Sequence, residues 1–165
     1  MQYTMNEDKT FGFQWDVDSR SNGFIYGIVQ IIIGDKIYPT SLPSENHYTL
    51  TTIFGNLKSS FDEKLYCGEY NNQDFGEKKF DIEKYNNSQL DNVLYIGTSY
   101  MGSGVSESFD LDSLLLCMGY SDNIERLFYS FDYGESFSEI RYPKGTVESV
   151  IRALPTYKDL ESFII

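Results

Sequence analysis

Histidine is almost missing from this sequence, with one copy at His47, and cysteine occurs only twice, at Cys67 and Cys117. A structural zinc site takes four nitrogen or sulfur ligands, so one imidazole and two distant thiols cannot build one, and no metal is expected. Two cysteines also fall short of a disulfide framework, and both read as reduced thiols. Long apolar runs are absent too. "IVQIII" around Ile31 and "LLLCM" ending at Met118 are the longest, and a membrane span needs roughly 20 residues. The opening "MQYTMNEDKT" has neither the basic nor the apolar region of a secretory signal. The expectation is a cytoplasmic protein with no membrane partner. Basic residues are scarce as well: 13 Lys and Arg stand against 25 Asp and Glu, for a net charge of -12. A polyanion repels phosphate backbones and anionic lipid, which argues against nucleic acid as a ligand.

The motifs that carry chemistry are equally sparse. Cys117 lies in an apolar stretch and reads as core, leaving Cys67 with His47 as the one thiol–imidazole pair, and His47 otherwise reads as a surface loop residue. "DVDSRSNG" from Asp16 begins like a calcium loop, but Arg20 stands where an oxygen ligand belongs and Gly27 stands where the loop ends on glutamate. "GSG" at Gly102 lacks the third glycine of a dinucleotide fingerprint. The spacing around Ser99 in "GTSYMG" is wrong for a nucleophile elbow. Asp110 and Asp112 sit two apart on a strand and so share a face. Glycosidases use two carboxylates, but a solvated or partner-facing acidic edge explains this pair more simply. No cofactor is expected.

What the chain has in quantity is apolar and aromatic residues, 41% and 16%, including 14 Tyr. That is enough for a real core in one domain spanning residues 1–165. "FGFQWDVD" alternates Phe11, Phe13, Trp15 and Val17 with small or polar neighbours, as a half-buried strand does. "SRSNG" supplies a loop. "FIYGIVQIII" is a long strand in which Gly27 marks a bulge or a close backbone approach. Gly34-Asp35 turns the chain into the short strand "KIYP". Leu50, Ile53, Phe54, Leu57 and Phe61, at spacings of three and four, define one helix face. Residues 62–92 show no sustained period, apart from a short strand near Lys79–Ile82, and "VLYIG" at Val93 is a short buried strand. "FDLDSLLLCMGY" and "ERLFYSFDY" are strands, with Leu127, Tyr129, Phe131 and Tyr133 on one face of the second. Gly134-Glu135 suits a type II′ hairpin turn, "SFSEIRY" returns, and "TVESVIRAL" reads as a fourth strand. A short helix from Pro155 faces Tyr157, Leu160, Phe163 and Ile164 inward. The predicted fold class is α+β: mainly antiparallel β-sheet in two meanders, one longer helix near 48–61 and a short C-terminal helix.

Charge of one sign is clustered. Between Met101 and Glu139 stand eight acids and one base, Arg126, a local net charge of -7. Complementary fields speed encounter and set register between proteins, so the cluster points to a basic protein partner. The candidate contact residues are Asp110, Asp112, Asp132, Glu135 and Glu139, with Tyr133 and Phe137 as aromatic anchors.

The quoted segments "FGFQWDVD", "GFIYGIVQIIIGDKIYP" and "TLTTIFGNL" resemble the opening of the immunity protein 42 family of bacterial polymorphic toxin systems. "FYSFDYGESFSEIRYPKGTVESVI" is similar to that family's C-terminal half. The resemblance implies a small, non-catalytic, mostly β cytoplasmic protein that binds a cognate toxin and neutralises it. A toxin that attacks nucleic acid has a basic cleft, which acidic side chains would match. The resemblance carries no toxin-contacting motif onto particular residues, and it leaves the oligomeric state open. The residues by themselves also allow a non-catalytic adaptor for another cytoplasmic protein, or a hydrolase working through His47.

Overall fold

The computed structural model describes residues 1–40, 48–62, 94–96, 114–121, 123–132 and 134–164. The predicted strands around Lys79–Ile82, the Gly102 loop and the segments holding His47, Cys67 and Ser99 lie outside them.

The first sheet is a meander of β1 (Gln2–Met5), β2 (Phe11–Ser21), β3 (Phe24–Ile33) and β4 (Lys36–Tyr38), in that order. A two-residue strand, β5 (Tyr48–Thr49), also pairs with β3. The alternation of β2 puts Phe11, Phe13 and Trp15 on the core face, opposite Ile33, Ile31 and Val29 of β3. The segment read as a loop is mostly strand. β2 runs to Ser21, and Asn22-Gly23 closes a two-residue turn with both residues at positive φ, 52° and 81°. Asn-Gly suits that mirror-image turn because both residues tolerate the left-handed region at low cost.

The bulge near Gly27 sits on the opposite strand. Pairing passes from Val17↔Gly27 to Ser19↔Tyr26, so Asp18 is the extra residue. Gly27 itself marks a close approach: a Cβ there would lie 2.0 Å from the Asp16 carbonyl oxygen and 2.8 Å from Leu50 Cδ1. Gly34-Asp35 turns β3 into β4 as predicted, pairing Ile33 with Lys36.

Helix α1 (Leu50–Asp62) buries Leu50, Ile53, Phe54, Leu57 and Phe61, the five residues its spacing selected. It lies against the core face of the first sheet, with Trp15 and Phe54 edge to face at 6.1 Å between ring centres.

The second sheet is a meander of β6 (Leu94–Ile96), β7 (Leu115–Ser121), β8 (Ile124–Ser130) and β9 (Ser138–Pro143). Its Leu116, Met118, Leu127 and Tyr142 join one buried cluster with the first sheet and α1. Tyr142 links the sheets directly: its ring packs on Phe11, and its hydroxyl donates to the Thr10 carbonyl at 2.9 Å.

Two readings of the C-terminal third are corrected. β8 and β9 are joined by the seven residues 131–137 rather than by a two-residue Gly134-Glu135 turn, although Gly134 does hold φ 85°. Thr146–Arg152, read as a strand, is helix α2. Gly145 enters it at φ 93°, and Val147, Val150 and Ile151 bury one helical face. The last helix, α3 (Tyr157–Glu161), starts on a capping box between Thr156 and Asp159. Leu160 faces inward, but Phe163 is 44% exposed and meets the core only edge-on against Trp15.

Candidate functional site

The acids of the 101–139 stretch divide into groups with different roles. Asp110, Asp112 and Tyr133 lie outside the described residues, as do Glu107 and Asp122. The other named residues fall on β8, on β9 and in the loop between them.

Asp132 organises that loop. Its Oδ1 accepts from the Ser130 hydroxyl at 2.6 Å and the Ser136 amide at 2.9 Å, and its Oδ2 accepts from the Ser136 hydroxyl at 2.5 Å. The Ser130 hydroxyl in turn accepts from the Gly134 amide at 2.8 Å. These bonds, led by that from Ser130, pull the Asp132 carboxyl down to about 2, so it stays ionised at any physiological pH. Glu135 is exposed at the tip, its amide donating to the Asp132 carbonyl at 3.2 Å. Phe137 is half-buried beneath Gly134, where an added Cβ would meet its ring at 3.5 Å. Phe131 opens the loop and stacks on Tyr38 of the first sheet, 4.8 Å between centres and 14° between planes.

Glu139 is turned into the sheet, its side chain 7% exposed. Arg126 grips it with two bonds, Nε to Oε1 at 2.6 Å and Nη2 to Oε2 at 3.0 Å, and Arg141 adds a third at 2.7 Å. Burial pushes the Glu139 carboxyl up. The two guanidinium groups outweigh burial and leave it below its ordinary value.

Glu125 was not among the candidates, yet it is fully buried. Its carboxylate accepts the amides of Gly145 at 2.5 Å and Val147 at 2.9 Å, at the start of α2. Gly145 has no side chain to cap that helix, and an acid from the neighbouring strand supplies the missing acceptor. The signal was present in the sequence, because Glu125 falls two residues before Leu127 on the same inward face.

Cys117 is a buried thiol whose burial pushes it up to about 12, which leaves it unreactive. Among the described residues, no three His, Cys, Asp or Glu side chains converge on a metal position, and no helix is long and apolar enough to cross a membrane. No curated protein and no solved structure gives a match to the chain. A family model described as Immunity protein 42 matches residues 7–157, most of the chain, which therefore belongs to that family of immunity proteins.

Proposed function

We propose that this chain is a stoichiometric inhibitor, which binds a cognate, basic toxin domain in the cytoplasm and blocks it by covering its surface, without cofactor or catalysis. Family membership supplies the immunity role and implies a toxin partner. The observation that carries the choice of surface is the loop 131–137. Its acidic tip is held in shape by Asp132 before any partner arrives, so little ordering entropy is lost on binding. Glu135 presents the exposed charge, Phe137 supports the loop from beneath, and Tyr133 belongs to the same segment. Glu139 contributes by fixing Arg126 and Arg141. Asp110 and Asp112 join the proposal on their sequence positions alone.

A nuclease toxin is the chemistry such a surface matches best, with carboxylates standing where phosphates would bind. The test is co-expression with the toxin domain encoded beside this chain's gene, followed by calorimetry on a catalytically dead form of that domain. Growth should be restored, the complex should be one to one, and affinity should fall steeply as salt rises, because screening shortens the reach of charge. Unrestored growth, or the absence of a complex, refutes the inhibitor reading. Affinity indifferent to salt refutes the electrostatic one.

A further inference from the structure

Beside the loop 131–137 runs a groove of about 510 Å³, lined by Asp35, Lys36, Ile37, Tyr38, Thr40 and Phe131. It spans the junction of the two sheets. The stacked rings of Tyr38 and Phe131 are its aromatic wall, and Ile37 stands 41% exposed in it. Three carboxylates surround it or the adjoining loop: Asp35 and Glu135 are exposed, and Asp132 is the loop's permanent anion. The Lys36 ammonium is drawn over the rings of Tyr129 and Phe131, 5.9 Å from each centre.

We infer that this groove is the socket for the toxin's anchor, a projecting apolar side chain flanked by lysine or arginine. The inference rests on the inhibitor reading above and gives it a hot spot. Apolar anchors bind where a firm pocket can desolvate them, and flanking charge then fixes register. Charge selects the occupant: a second copy would bring a net charge of -12 against a net charge of -12, whereas a cationic domain is attracted. The hydrogen bonds of Asp132 and Ser130 on one side and the sheet edge on the other make the socket ready-formed.

The test uses the full-length chain with Ile37→Lys and Thr40→Arg, two exposed groove positions that take no core atoms away. Phe24→Lys, 46% exposed at the opposite end of β3, is the control for added charge alone. The probe is the catalytically dead toxin domain encoded beside the gene, and melting curves check that each variant is folded. Ile37→Lys and Thr40→Arg should each weaken binding by about 30-fold or more, as loss of a hot spot does, while Phe24→Lys changes it little. Wild-type affinity in both groove variants overturns the socket and leaves the inhibitor reading standing. Equal weakening in all three variants overturns it too, because charge alone would then explain the loss. Absence of binding by the wild-type chain overturns both.

Discussion

Glu125 and Val147 are 22 residues apart, and the carboxylate of the first accepts the backbone amide of the second at 2.9 Å inside the protein. This bond joins β8 to the start of α2, a helix whose own entry residue is glycine. Glu125→Ala leaves the first amides of α2 without this acceptor and should cost about 3 kcal/mol in urea unfolding, since an orphaned buried donor loses its full hydration. The pH signature follows from burial, which raises the Glu125 carboxyl above its ordinary value despite the amides that lower it. A raised carboxyl gives stability that is present below the unfolded value and lost as pH climbs through the folded one. Wild type minus Glu125→Gln should therefore shrink as pH rises from 4 upward. A flat difference would count against this assignment.

Glu139 should show the opposite sign. Its carboxyl is lowered, so its stabilising effect is present above the unfolded value and lost as pH falls through the folded one. Glu139→Ala strips two bonds from the buried Arg126 and should cost about 3 kcal/mol. Arg126→Met with Glu139→Leu removes both charges and should recover most of that loss. If the double variant is as unstable as the single one, the pair is not the source of the effect.

Two glycines give opposite outcomes on conversion to alanine. Gly55 lies on the exposed side of α1 with nothing within 4 Å of an added Cβ. Gly55→Ala should stabilise by about 1 kcal/mol and raise the melting temperature by about 2–4 °C. Gly27→Ala drives a methyl into the Asp16 carbonyl and should destabilise by about 3 kcal/mol. Melting curves of the two variants would decide both, and a stabilised Gly27→Ala would contradict the close strand approach.

Asp132 and Glu135 separate scaffolding from charge. Asp132→Asn should loosen the loop, so that the amides of Gly134 and Ser136 exchange hydrogen faster while the global melting temperature holds. Glu135→Lys should leave exchange as in wild type and slow association with the toxin domain at low salt. If Glu135→Lys associates as fast as wild type, the tip does not steer the encounter.

Periodicity read most of the fold well. The five apolar positions of α1 were all found buried, and the alternation of β2 identified its core face. Two of the failures trace to a side chain that caps or gathers backbone groups, which apolar periodicity does not show. Thr146–Arg152 is rich in β-branched residues and looked like strand, but Val147, Val150 and Ile151 also carry helical spacing, and Glu125 from another strand caps the result. Gly134-Glu135 looked like a tight turn until Asp132 gathered Ser130 and Ser136 around its carboxylate and built a longer loop. The candidate site was less legible. Two of its acids make their bonds inside the protein, Asp132 to serines of its own loop and Glu139 to two arginines, and charge counted along the chain cannot reveal where a carboxylate's bonds go. The groove at Ile37 joins residues about 90 positions apart, and no linear pattern brings them together.

The bond from Tyr142 to Thr10 spans 132 residues, and the ion pair of Arg20 with Glu161 spans 141. Contacts between such remote partners, one in the core and one on the surface, form only after the C-terminal residues have left the ribosome. The first sheet meets α1 early but gains the rest of its cover, Tyr142 of β9 and the buried faces of the final helices, only when the C-terminal third has been synthesised. Under the inhibitor reading, protection against a toxin would then begin only some moments after translation ends.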